Sequence, residues 1–244
     1  MGALDMGELD SLWVYLSASP LLSIMVTIIG FLISSHINRM AGGSAFLHPV
    51  IVAIALIVAF LTLVGTSYEQ YFEGAQFIHF LLGPATVALA IPLFDHLERV
   101  KQMFWPLIIA CISGIFTAAL STISIVIAMG GRRETVLSLT PKSVTSPIAM
   151  GIAEKIGGYP SLTAGLVLVT GAIGCVIGPI MFRWLKIEDH SVQGFTMGLA
   201  AHGFGTAQSF TVSSIAGAFA GLAMGLTGML SAFILPLLVR FLGV

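Results

Sequence analysis

Long apolar runs broken by short polar turns set the pattern of this chain, and most runs approach the twenty or so residues needed to cross a bilayer. Residues 12–37 form the first, with Trp13 and Tyr15 suited to the interface, and 49–66 the second. The stretch 67–74, with Tyr68, Glu69, Tyr71 and Glu73, reads as a boundary loop. Three further runs, 104–129, 162–184 and 217–241, read as plain spans, separated by the charged turns 95–101, 130–134 and 183–190.

Two runs carry prolines among hydroxyls. In 139–150, Pro141 and Pro147 bracket Lys142, Ser143, Thr145 and Ser146; in 82–93, Pro84 precedes Thr86 and Val87. Hydrocarbon leaves no backbone polar group unsatisfied, so a run with two prolines and a charge belongs where protein or a wet cavity surrounds it. The two stretches align without a gap as Leu-x-Pro-x-(Thr/Ser)-Val and read as an internal repeat. Paired interruptions of this kind mark the binding sites of carriers, whose broken helices bring dipole ends to mid-membrane. The plainer alternative is two proline kinks in ordinary spans.

A third unusual run, 194–210, is rich in glycine and hydroxyls and contains His202, Gly203, Phe204, Gly205 and Thr206. The pattern predicts an all-α polytopic membrane protein, a single domain over 1–244, with seven to eight membrane segments including two or three broken or re-entrant helices. Basic residues do not fix its orientation: if the fourth segment simply crosses, Arg132 and Arg133 fall opposite Arg39, Arg99 and Lys101, a conflict that one re-entrant element would cure.

Composition narrows the function. The 244 residues are 57% hydrophobic and 9% charged, which excludes a soluble globular domain, and a net charge of −1 offers no footprint for nucleic acid. Cys111 and Cys175 lie in apolar runs, so neither a disulfide framework nor a metal site is expected, and the acidic N-terminus lacks the basic region of a cleaved signal peptide. No catalytic constellation and no cofactor motif occurs, so enzyme activity is not expected.

The candidate binding residues are Pro84, Thr86, Lys142, Ser143, Thr145, Ser146, His202, Gly205 and Thr206. A lysine with hydroxyls and free N–H groups at a helix start suits a small anion, although Lys142 could instead snorkel to the headgroups and the hydroxyls could simply cap the backbone. His202 among small residues could couple proton movement to a substrate or serve as a structural histidine. Gly171, Gly174 and Gly178, and likewise Gly217, Gly221 and Gly225, have the small-residue spacing of close helix contact, within one chain or in a homo-oligomer.

The motifs Pro141–Ala149, 82–90 and 202–207 resemble those of the LrgB/CidB family over nearly the whole chain. That resemblance implies a multi-pass protein of the bacterial cytoplasmic membrane and two rival functions. One is transport of small monocarboxylates of the glycolate, glycerate and pyruvate class by alternating access, as in the plastid relatives. The other is antiholin-like control of murein hydrolases and autolysis with a small holin-like LrgA/CidA partner. Broken repeats with a lysine fit the carrier better. One departure stands out: Gln208, Thr211, Ser213, Ser214 and Ile215 occupy a stretch where the family commonly carries a basic residue followed by acids.

Overall fold

The computed structural model describes residues 20–43 and 47–244, except for the side chains of Leu82 and Thr86; residues 12–19, including Trp13 and Tyr15, lie outside them. Every regular element described is an α-helix, and five helices are long and apolar enough to cross a membrane. The chain divides into two compact units, Met1–Val87 and Ala88–Val244.

In the first unit α1 (Pro20–Met40) packs on α2 (Pro49–Val64), where Gly30 leaves room for Ile57. At 16 residues, α2 is shorter than a full span, and His48 caps it by accepting from Val50 N at 3.3 Å. α3 (Tyr68–Ala88) meets α1 through Thr27 Oγ1 and Tyr71 Oη, 2.6 Å apart. Two expectations change here. Residues 68–74 of the stretch 67–74 are not a loop but the opening turns of α3, and Pro84 and Thr86 lie inside that helix and not at a helix start. The chain turns only at Leu89, before α4 (Ala90–Asp95).

The second unit continues through α5 (Leu97–Gln102) to α6 (Phe104–Ala128), α9 (Pro160–Trp184) and α11 (Ser214–Leu242), three spanning helices. Between them lie two places where the chain doubles back on itself.

The first consists of α7 (Arg133–Leu139), the irregular segment 140–145 and α8 (Ser146–Ile156). Its return is fixed at the base: Tyr159 N donates to Ser138 Oγ at 2.7 Å, Thr163 Oγ1 donates to Ser138 O at 2.9 Å, and a Cβ on Gly158 would lie 2.8 Å from Ser138 N. Were α7 and α8 collinear, those groups would stand about 30 Å apart at 1.5 Å per residue.

The second is α10 (His190–Val212), which runs through a non-helical residue, His202, at φ 42° and ψ −123°. Before His202 the helix lies antiparallel to α9, with Met197 on Gly178 and Ala201 on Gly174, and parallel to the start of α11, with Gly194 on Ala216 and Gly198 on Ala220. After it the chain runs back: Gly205 rests on the Met197 carbonyl, Thr206 Oγ1 lies 3.8 Å from Met224 Sδ, and Phe210 covers Gly217. Each arm is about a dozen residues, or roughly 15–18 Å, half the thickness of a bilayer core.

The bases of these turns lie at opposite ends of α9, beside Pro160 and beside Trp184, so a membrane crossed by α9 would receive them from opposite faces. This does not cure the charge conflict. Arg99 and Lys101 precede α6 and Arg132 and Arg133 follow it, so α6 keeps basic residues at both ends.

Candidate functional site

The freed backbone of 140–145 explains why this stretch tolerates mid-membrane depth. Lys142 N donates to Leu139 O at 3.1 Å and Val144 N to Pro141 O at 3.3 Å, while Thr140 Oγ1 closes back on Val136 O at 2.8 Å. Side-chain and local turn bonds replace part of the helical ladder that the prolines interrupt. Thr140, Pro141 and Val144 are buried, whereas Lys142, Ser143, Thr145 and Ser146 are half-buried on the same short segment.

The Lys142 ammonium makes no hydrogen bond or ion pair among the described residues. Thr145 is the N-cap of α8 but its side chain closes no capping bond, and Pro147 occupies the first turn. An unneutralised ammonium therefore lies a few residues from a helix start with uncapped N–H groups, and both favour an anion.

This segment borders a cavity of about 20 Å³ formed with Gly114, Ile115 and Ala118 of α6, Leu199 of α10, and Thr227, Ser231 and Leu235 of α11. The middle turns of α6 and α11 contribute, so the cavity lies near mid-depth. Cys111 Sγ and Thr227 Oγ1, 3.4 Å apart, tie the two helices beside it. Ile148 of α8 packs into the space above Gly228.

His202, Gly205 and Thr206 gather at the tip of the opposing turn. His202 is 4% exposed and its Nε2 lies 3.1 Å from Val167 O, so Nε2 carries the donated proton. The ring stands edge-on to Phe204 and lies over Gly171. Thr206 Oγ1 donates to His202 O at 2.8 Å, supporting the turn from within. A positive φ at a non-glycine residue costs about 1–3 kcal/mol and survives where surrounding contacts over-determine it. Leu199, one turn before His202, lines the cavity that Thr140 and Ser143 border.

Of the expected residues, Lys142, Ser143, Thr145 and Ser146 thus share one turn, and His202, Gly205 and Thr206 the other. Pro84 and Thr86 lie in the first unit, and the Thr86 side chain is outside the described residues. Thr140, Thr227 and Ser231 were missed; two hydroxyls at i and i+4 within the otherwise apolar run 217–241 were the available signal. The glycine spacing Gly171/Gly174/Gly178 serves close contact with α10 as expected. Gly217, Gly221 and Gly225 form no single packing face: Gly217 receives Phe210, Gly221 lies near Leu89, and Gly225 faces open space.

The model of the LrgB-like family matches residues 27–241. The chain belongs to the LrgB-like family. Among its curated relatives, this LrgB-like protein is 36% identical to the uncharacterized protein YxaC of Bacillus subtilis (strain 168) over 80% of its own length and 84% of the relative's. It is equally identical to YwbG of the same strain over 81% and 88%. It is 27% identical to the antiholin-like protein LrgB of Bacillus cereus (strain B4264) over 92% and 98%. No solved structure matches it.

Proposed function

We propose that this LrgB-like protein has the antiholin-like role that its Bacillus cereus relatives are named for, and that its molecular activity is passage of a small monocarboxylate through the second unit. The relatives' name supports the first part. The second is carried by one observation: an unpaired lysine on a broken helix, Lys142, beside a polar turn at mid-membrane depth. A protein that only associated with a holin-like partner of the LrgA/CidA type would need helix surfaces and no such costly interior.

In this reading the ammonium of Lys142, the N–H groups at the start of α8, Ser143, Thr145 and Ser146 receive a carboxylate of the pyruvate or glycolate class. The two tips, which approach from opposite sides, take turns in closing the path, with Thr206 and Gly205 supporting the second.

Uptake of radiolabelled pyruvate and glycolate into liposomes holding the purified chain tests the carrier. Saturable uptake that Lys142→Ala abolishes and Lys142→Arg partly retains supports it, whereas equal uptake with Lys142→Ala sinks the site. Co-purification with a small holin-like partner tests the other part. Gly225→Leu, at an exposed glycine with nothing within 4 Å, is expected to weaken that complex without disturbing the fold.

A further inference from the structure

The mid-depth cavity holds oxygens that the carboxylate reading leaves unused, those of Thr140, Thr227 and Ser231, beside Ser143, which the two sites share. Its volume, about 20 Å³, holds one water-sized particle and is too small for a carboxylate. Its polar lining is oxygen: Thr140 and Ser143 from the break, and Thr227 and Ser231 one turn apart on α11.

Much of that oxygen lacks a partner. Ser231 is 2% exposed and its hydroxyl makes no hydrogen bond among the described residues; Ser143 makes none either. The carbonyls of Thr140, Ser143 and Val144, all from lining residues, accept no hydrogen bond among the described residues. The Thr140 hydroxyl proton is already committed to Val136 O, so toward any further partner this oxygen can act only as an acceptor.

A single water has two protons to give and would leave most of these acceptors unmet. A cation needs no proton and can take those of these oxygens that face the cavity as ligands together. No carboxylate lines the cavity, and no group of three or more His, Cys, Asp or Glu side chains converges among the described residues, so a divalent ion would find no charge to offset its own. Unwound backbone at the C-terminal end of a half-helix, here α7, is the arrangement in which carriers hold sodium.

We infer that the cavity between the 140–144 break and Thr227/Ser231 of α11 is a binding site for one sodium-sized monovalent cation. The inference rests on the carrier reading only for its purpose: a cation here beside an anion at Lys142 makes each favour the other, and such linkage is reciprocal.

The test needs no carboxylate. Thermal unfolding of the purified full chain in detergent is followed in sodium, potassium and choline chloride at equal ionic strength. The expected result is a saturable rise in melting temperature specific to sodium. Removing one oxygen from such a set, in Ser231→Ala or Thr227→Val, should weaken the apparent sodium affinity by about 10- to 100-fold, read as the sodium increment over each variant's own melting temperature in choline, which Thr227→Val also lowers by losing the contact with Cys111. Equal stabilisation by all three salts, or a sodium increment that persists in both variants, overturns the site. A site intact in this assay without pyruvate flux would count against the carrier alone; flux without sodium-specific stabilisation would count against the ion site alone.

Discussion

His202 lies directly against Gly171: a Cβ built on that glycine would stand 2.7 Å from His202 Cε1 and 3.1 Å from Nε2. The ring cannot retreat while Nε2 holds Val167 O and Phe204 flanks it. Gly171→Ala is therefore expected to destabilise the protein by about 1–3 kcal/mol, the usual cost of overpacking. Gly165 of the same helix has nothing within 4 Å, so Gly165→Ala should instead stabilise by up to about 1 kcal/mol. Denaturation midpoints of the two variants, measured side by side, check the contrast.

The conformation of His202 yields an ordering. Both His202→Ala and His202→Gly lose the ring and its bond to Val167 O, but only glycine takes φ 42° and ψ −123° without strain. His202→Gly should be the more stable of the two by about 1 kcal/mol or more. The reverse order would mean that the turn relaxes once the ring is gone.

At the base of the second turn, Asp189 caps α10 by accepting from Ser191 N at 2.8 Å and pairs with Arg99 at 2.5 Å. The Ser191 hydroxyl first, then backbone N–H groups and the Arg99 guanidinium, hold its carboxyl below the usual carboxylate range, against an opposing effect of burial second only to that of the Ser191 hydroxyl. Because the folded value is the lower one, this stabilisation is complete above the ordinary aspartate pKa of about 3.9 and is lost as pH falls through the folded value. Both partners are 43% exposed, so the ion pair adds at most about 1 kcal/mol and the cap about as much. Asp189→Asn should lower the melting temperature at pH 7 and flatten its decline in acid.

The two re-entrant turns make a labelling pattern. With Cys111 and Cys175, both fully buried, replaced by alanine, single cysteines at Arg132 and Tyr159 should react with an impermeant maleimide from one face, and those at Lys186 and Ser213 from the other. If either re-entrant stretch crossed fully, the members of its own pair would label from opposite faces.

Much of this was readable from residue order, and the errors have physical causes. The break at Pro141 was legible because hydroxyls and a charge beside prolines can replace helical hydrogen bonds that apolar side chains cannot, whereas the run 194–210 stood out for its glycines and hydroxyls without the break at His202 being read from them. The same proline pattern at Pro84 marks no break at the proline: it has one hydroxyl, Thr86, and no charge beside it, and the helix carries the proline through to Ala88. That 190–212 doubles back was not legible, since the decisive contacts, Gly194 on Ala216 and Gly205 on Met197, join residues whose nearness no local pattern encodes. The hydroxyls of Thr227 and Ser231 were overlooked for a similar reason, because their significance depends on what stands across the cavity.

Two tips that stop at mid-depth from opposite sides also shape the electric field. Were water to follow each irregular segment inward, the insulating path would shorten and the membrane voltage would fall across the residues between the tips, Val144 and Leu199 among them, and not across the full bilayer. A unit charge held there would have about half of the roughly 2.3 kcal/mol per 100 mV on either side of it, and its passage would need a displacement of only a few ångströms to register the whole potential.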